Sequence, residues 1–570
     1  MRNRLTFLFS LLLVGALSFT TLVYAQQSAS PNLPPNVTPD RSAASIIRRE
    51  RRRTTAPAGI ERDLSEALAV IQDNYVDGKN LDYNAVFKSS INGMLHVLDP
   101  HSNYFDPKEF EEFLTEQRSE YFGIGAVIGD LRQGDQVNTY IRSTFEDSPA
   151  SRAGLRYGDR ILEVNGQSMR GKTYPEVREH LLGPRGSVAK VTVEHAATGR
   201  VETVEITRDA VAQPSIPEAY MIKPGVGYIA MTGGFNITTA DEFRRALDDL
   251  HAQGMKMLIL DLRGNRGGLL IQAVRVANTF LQRGQLILTQ KGRIRGSNET
   301  YSAENDAPDT TPLVVLVNRG TASASEIVAG ALQDHDRALI VGEPSFGKGL
   351  VQNPFMLEYG SALMLTIAKY YTPSGRLIQR DYTNGSLYDY YTHGGSIGFE
   401  KQSPQAPVGP ASRTDLGRTV YGGGGILPDE IVKPALIGPA EQRLIDPIFA
   451  FAVKLASGHL QGFDAYRVDH PIEYGHLLKA TDFPITNDLY KAFKSFVASN
   501  PVYRISGAQL DRQRPFVERQ LRYELATAAY GTVAATQVFN AADPQIARGI
   551  DLLPRARDLA QMARRAHATS

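Results

Sequence analysis

The chain has no cysteine among its 570 residues. That excludes disulfides, thiolate metal sites, a thiol nucleophile and a lipid-modified cysteine. An excess of charge of one sign is missing too. With 62 Lys and Arg against 61 Asp and Glu, the formal net charge of +1 creates no field that would gather nucleic acid or acidic substrates. The 11 histidines show no metal-ligand spacing, so no metal or other cofactor is expected. At this length a single core rarely organises a whole chain, and about three or four domains are expected.

Arg2 and Arg4 precede an apolar run over 5–23 that closes on Val23-Tyr24-Ala25 before Gln26. Charge, length and small-residue exit make 1–25 a secretory signal peptide. The run is also close to the length of a membrane span, so an uncleaved anchor stays open. Either way an exported, periplasmic or otherwise extracytoplasmic protein is expected. Residues 26–59 are mostly Pro, Ser, Ala and Thr and are read as a disordered linker. Its basic cluster, Arg48, Arg49, Arg51, Arg52 and Arg53, is read as a solvated segment rather than a lipid contact.

Apolar periodicity begins with Leu64, Leu68, Ile71 and Tyr75. A second helical stretch through Val86, Ile91, Met94 and Leu95 stops at Asp99-Pro100, and Asp106-Pro107 opens a third through Phe110 and Phe113. A helical N-terminal domain over 60–118 is therefore expected. From 119 to 209 the texture changes to short strands and turns, with an Asn165-Gly166 hairpin signal. Together with Ala153-Gly154-Leu155, a helix over 177–182 and a strand over 189–194, the region resembles a PDZ domain. Such a module captures a peptide C-terminus, with backbone amides of a Gly-rich loop on the carboxylate and the peptide added to a sheet edge. Gly123, Ile124, Gly125 and Ala126 are assigned to that loop. The alternative is a packing module whose glycines only relieve strand crowding.

Apolar strands at 227–231, 257–261, 313–317 and 338–341 then alternate with helices at 239–253, 270–281 and 324–334. This is the pattern of an α/β core with a buried sheet, placed at 210–436. A Tyr- and Gly-rich insertion over 381–424, with Tyr382, Tyr388, Tyr390, Tyr391 and Gly394-Gly395, reads equally as a lid or as disorder. The remainder, 437–570, is a helical C-terminal extension that could pack on the core, mediate oligomerisation or regulate access.

Within the α/β region, Ser323 stands where the strand over 313–317 gives way to a helix, and Lys348 follows in Phe346-Gly347-Lys348-Gly349. A serine hydroxyl is a weak nucleophile until a neighbour takes its proton, and a neutral lysine is one solution. That lysine must be desolvated, since an apolar setting disfavours the ammonium. Phe346, Val351 and Phe355 are the nearby groups for this. Gln352 can hydrogen-bond to Lys348 without adding charge; in a regular strand the two lie about 13 Å apart, so contact calls for a bend near Gly349. The Ala324 amide at the helix start is the natural first oxyanion donor. A second would come from the loop Asp261-Leu262-Arg263-Gly264-Asn265-Arg266-Gly267-Gly268. His335, at the far end of the helix after Ser323, is about 16 Å away and cannot be the base.

Asp261-Leu262-Arg263…Gly267-Gly268, Thr321-Ala322-Ser323-Ala324-Ser325-Glu326 and Phe346-Gly347-Lys348-Gly349…Gln352, downstream of a PDZ-like region, resemble the carboxyl-terminal processing (tail-specific) serine proteases. The likeness runs from about Leu64 to Val432 and takes in Leu98-Asp99-Pro100-His101 and Gly425-Ile426-Leu427-Pro428-Asp429. The resemblance implies a multidomain α+β protein with a crotonase/ClpP-like protease core. It implies Ser323 as nucleophile, Lys348 as general base, Gln352 as the residue orienting the lysine, and Gly267 or Gly268 beside Ala324 in the oxyanion hole. Protein substrates with unstructured C-terminal tails would be its partners, with PDZ-gated access; a membrane tether and a homo-oligomer stay open. The rivals are a catalytically silent PDZ scaffold, which has no need of Ser323, Lys348 and Gln352 together, and another acyl-transfer hydrolase.

Overall fold

The computed structural model describes residues 57–383, 390–391 and 409–569. The leader and linker, and most of the insertion including Tyr388, Gly394 and Gly395, lie outside the described residues. Two units divide between Tyr104 and Phe105.

In the smaller unit the periodic stretches form the helices Pro57–Asn74 and Tyr83–His96. The Asp82 carboxylate caps the second by accepting the Asn84 and Ala85 amides. Past its end Asp99 turns the chain, taking the His101 and Ser102 amides at 2.8 Å each. Tyr104 comes back onto the helix, edge-on to Phe87 at 5.6 Å.

The larger unit opens with the helix Pro107–Gln117, capped reciprocally by Asp106 and Glu109. The Gln117 carbonyl accepts the Ile237 amide at 3.1 Å and the Ser119 and Thr238 hydroxyls meet at 2.9 Å. This third helix is thereby tied to the α/β core.

The β-rich region is a sheet in the order Ala126–Gln133, Gln136–Thr144, Arg160–Val164, Val188–Glu194, Val201–Thr207. Ile141, Val164, Val191 and Val193 form its core with Val177 of the helix Tyr174–Leu181. Ala126–Gln133 is an edge strand of this sheet, beside that helix.

The core sheet places Val226–Ala230, Met257–Asp261, Leu313–Val317 and Leu339–Gly342 in parallel, with Glu218–Lys223 antiparallel at one edge and Glu430–Ile431 parallel at the other. Leu313–Val317 is buried throughout, which is why its sequence is apolar at every position and not alternating. Helices Thr239–Ala252, Leu270–Asn278 and Ala324–Asp334 cover one face through Phe243, Val276 and Val328. Beyond them lies a second sheet containing Leu286–Gly292, Glu299–Ser302, Leu350–Met356 and Ala362–Tyr371, packed through Ile287, Leu288 and Tyr370.

The other face of the core sheet is covered by the final helix, Pro544–Thr569, whose Ile546, Leu553 and Ala556 pack on Ile259, Val314 and Leu316. At Gly549 an added Cβ would stand 3.3 Å from Ile259 and Leu316, so the backbone itself lies against the sheet. The rest of the C-terminal region builds a core from Phe449, Phe451, Phe493, Leu521 and Leu525 that also takes in Leu131 and Tyr157 of the β-rich region. Tyr157 donates to Glu524 at 2.8 Å, and the Arg142 guanidinium lies 3.1 Å from the Phe449 ring centre. Of the roles open to the extension, packing is the one seen, and it grips both neighbours.

A buried carboxyl marks this junction. Glu218, on the edge strand, accepts from Thr536 and Asn540, and burial pushes its pKa up to about 8. Its folded pKa lies above the ordinary value of 4.5, so its contribution is whole below pH 4.5 and is lost as pH rises through about 8. Glu218→Gln should therefore flatten the decline in stability between pH 5 and 9, by a few kcal/mol at the alkaline end, on the order expected for such a shift. Denaturant midpoints across pH check it; an unchanged slope would contradict it.

Candidate active site

Ser323 is the N-cap of Ala324–Asp334, with φ 55° and ψ −116°, a backbone geometry costly for a residue bearing a Cβ. Its hydroxyl makes no capping bond. The cap comes from Glu326 instead, whose Oε2 accepts the Ser323 amide at 2.8 Å. The same oxygen accepts the Lys348 amide at 2.9 Å, and Oε1 takes the Ser345 hydroxyl at 2.5 Å and the Gly347 amide at 2.7 Å. Ser345 is itself an acceptor for the Ile426 amide, so its proton goes to Glu326. Four donors on two oxygens suit a carboxylate acting only as acceptor. Burial raises the Glu326 pKa, and these donors oppose that rise.

A second clamp lies alongside. The buried Tyr370 hydroxyl contacts the Ser323 carbonyl at 3.0 Å and the Lys348 carbonyl at 2.8 Å. Burial lifts its pKa well above the usual phenol value, so the proton stays on and the hydroxyl stays a donor. Glu326 and Tyr370 together hold the backbones of Ser323 and Lys348 side by side, although the two residues belong to different elements.

Lys348 is half-buried just ahead of Leu350–Met356, with Nζ 2.7 Å from Gln352 Oε1. The ladder irregularity lies between Val351 and Gln352, past Gly349, where the pairing with Ala362–Tyr371 shifts. Gly349 is constrained differently: its amide donates to Gln379 Oε1 at 2.8 Å, and an added Cβ would be 3.0 Å from the Gln379 backbone nitrogen. Of the expected apolar neighbours, Phe346 and Val351 are half-buried, whereas Phe355 is 42 % exposed. Phe346 is itself packed by Tyr390, edge-on at 5.5 Å, with the Arg380 guanidinium over its ring.

The glycine loop is pressed onto Ser323. At Gly267, with φ 93°, an added Cβ would meet Ala322 O at 2.7 Å and Ala324 N and Ser323 Cβ at 2.8 Å each. Asn265 shapes this loop: its Oδ1 takes the Gly267 amide at 2.9 Å and its backbone oxygen takes the Ala322 amide at 2.9 Å. The amides of Gly268 and Ala324 meet no acceptor among the described residues.

In the PDZ-like region, Gly123 ends the strand Glu120–Gly123 and Ala126 begins Ala126–Gln133, with Ile124 and Gly125 between them. Gly125 has φ 76°, and a Cβ there would collide with Ser148 Cβ at 2.3 Å, so glycine is required. The carbonyls of Ile124 and Gly125 are taken by the Ala150 and Phe145 amides at 2.7 and 3.0 Å.

Sequence reading assigned no role to Glu326, Tyr370, Asn265 or Gln379. Only Glu326 carried a signal, as the acid three places after a helix N-cap.

The model for peptidase family S41 matches residues 225–390, which contain Ser323, Lys348 and Gln352, and that for the PDZ domain matches 141–195. The carboxy-terminal-processing protease of Bartonella bacilliformis is 36% identical over 305 residues, 52% of this chain and 68% of that protein. The chain belongs to the carboxy-terminal processing proteases of peptidase family S41. Carboxy-terminal processing protease CtpA of Bacillus subtilis is 35% identical over 318 residues, covering 56% of this chain and 66% of its own. The carboxyl-terminal-processing protease of Picosynechococcus sp. is 36% identical over 287 residues, 50% and 68% of the two chains. A member of this family is a serine-type peptidase, and the residues matched as PDZ, 141–195, lie within the β-rich region.

Proposed function

We propose that the chain is an exported endopeptidase that recognises proteins by an unstructured C-terminal tail and cleaves them near it through an acyl-enzyme on Ser323. The observation that carries this reading is the double clamp: one buried carboxylate and one buried phenol hold Ser323 and Lys348 together, with Lys348 Nζ on neutral Gln352. In this reading Lys348, as the free amine, takes the Ser323 proton while Oγ attacks the scissile carbonyl. It then returns the proton to the leaving amine, and water releases the acyl group. Gln352 orients the lysine. Ala324 and Gly268 supply the oxyanion donors, because the Gly267 amide is held by Asn265.

The PDZ domain binds the tail, which would add to the free edge of Ala126–Gln133 with its carboxylate at the 123–126 loop. In the same proposal the core is crotonase/ClpP-like, the domains are a helical segment from 60, PDZ over 119–209, core over 210–436 and a helical extension from 437, and a leader at 1–25 directs export.

The test is digestion of a protein with a disordered C-terminal tail, with and without its last few residues, read by intact mass. Cleavage of the intact tail only is the expected result. Equal cleavage of both would remove tail recognition, and no cleavage of either would remove the endopeptidase reading.

A further inference from the structure

At the opposite end of the helix that starts after Ser323, three residues far apart in sequence converge. His335, the C-cap of that helix, has Nδ1 2.7 Å from Asp415 Oδ2, and His567 of the final helix has Nε2 2.8 Å from the same oxygen. One ligand atom from each of the three lies within 4.8 Å of the others.

The frame around them is built. The Asp415 amide donates to the Asp334 carbonyl at 2.9 Å, the Leu416 amide to Asp336 at 2.6 Å, and Arg418 is bonded to Asp336 and to the Gln333 carbonyl. The turn between Ala411–Arg413 and Thr419–Tyr421 is thus fastened to the helix end before any ligand arrives. Asp334 and Asp336, on either side of His335, are each paired with an arginine, Arg376 and Arg418. Asp415 differs: among the described residues its charge partners are the two imidazoles alone. His335 also presents its other nitrogen, Nε2, to the Leu286 carbonyl at 2.7 Å. A metal-bound imidazole commonly donates in this way, which fixes the tautomer and leaves Nδ1 with its lone pair toward the ion.

We propose that His335 Nδ1, Asp415 Oδ2 and His567 Nε2 bind a divalent transition metal, zinc by preference, which fastens the end of the final helix to the protease core. Two imidazoles and one carboxylate, with no thiolate in the chain, are a ligand set for zinc, and water would complete the tetrahedron. Ligand atoms about 2.0–2.2 Å from zinc stand about 3.3 Å apart, so the ion needs the two short contacts to open by about half an ångström. His335 is held firmly, whereas the side chains of Asp415 and His567 are 32% and 39% exposed and can yield. The final helix covers one face of the core sheet, so pinning its last turn opposes fraying from that end.

The test uses full-length, untagged protein stripped with a chelator, titrated with zinc and with cobalt. One ion per chain, visible cobalt absorption of a tetrahedral N/O site, and a rise in Tm of a few degrees reversed by chelator are expected, the rise scaling with ion concentration over Kd. Asp415→Asn and His567→Ala should each weaken binding by about a hundredfold or more, at or above what losing an outer-shell partner costs. Stoichiometric binding that survives in both variants would place the ion elsewhere and overturn the site. So would no binding at about 100 μM zinc, with the variants lowering the Tm of the metal-free protein, because the trio would then be a clamp bridged by protons alone.

Discussion

Ser323→Ala is expected to leave no measurable cleavage of a tail-bearing substrate, a loss on the order of a millionfold by comparison with other serine nucleophiles. Lys348→Ala should lose about as much, since both act in one step and their effects do not add. The double variant should then be no worse than either single one. Lys348→Arg separates the possible roles of the lysine. Arginine keeps the positive charge but does not give up its proton in a protein, so it can stabilise an anion and cannot accept from Ser323. If Lys348 is the base, Lys348→Arg is as inactive as Lys348→Ala; activity within about tenfold of wild type would mean that only a cation is needed. Thermal unfolding should show both lysine variants folded, because the backbone at Lys348 is held by Glu326 and Tyr370 and not by its own side chain. Peptide hydrolysis under single-turnover conditions is the measurement, with the Tm of each variant as the control.

The features legible in the sequence are those that local chemistry writes into a short stretch. Leu313–Val317 announces a buried strand because both its faces are covered, and Asp106-Pro107 announces a helix start because capping is local. Thr321 to Glu326 and Phe346 to Gln352 stand out because a strand-to-helix turn and a glycine-flanked lysine each occupy consecutive residues. What joins them was not legible. Tyr370 lies on a third element, and nothing near it in sequence marks its hydroxyl as meeting two carbonyls. The choice within Gly267-Gly268 depends on which amide Asn265 occupies, a matter of loop geometry. That Phe355 is largely exposed depends on how its strand is covered, which its neighbours in sequence do not show. The final helix does not stand out within the helical extension because its apolar positions are diluted by alanine and arginine and interrupted by Pro554. Its task appears only when the sheet face beneath it is seen to need cover. His335, Asp415 and His567 are 80 and 152 residues apart, so no spacing rule could connect them.

Glu326→Gln should lower kcat by about a hundredfold or more while the substrate tail binds as before, because an active-site displacement near 1 Å costs about that much. The carboxylate offers acceptors on both sides. An amide offers one acceptor and one NH2, and every one of the four neighbours is a donor. If the NH2 faces Ser323 and Lys348, the bond from each to a shared oxygen is lost; if it turns over, Ser345 and Gly347 lose theirs. Either orientation loosens the helix start from the lysine loop, and two buried donors are left facing a donor, at about 1–3 kcal/mol each in stability. Ser323 is hit hardest, since its φ of 55° is a strained state held by this cap. Tyr370→Phe removes only the second clamp and keeps the ring, so a loss of about tenfold in kcat and about 1 kcal/mol in stability is expected. Glu326→Asp restores the acceptors one methylene short and should fall between Glu326→Gln and wild type. KM for the tail should stay within about twofold in all three, because the PDZ domain proposed to bind it is built from other elements. A Glu326→Gln enzyme with kcat within about threefold of wild type would show that the clamp is structural and that Ser323 and Lys348 find their places without it.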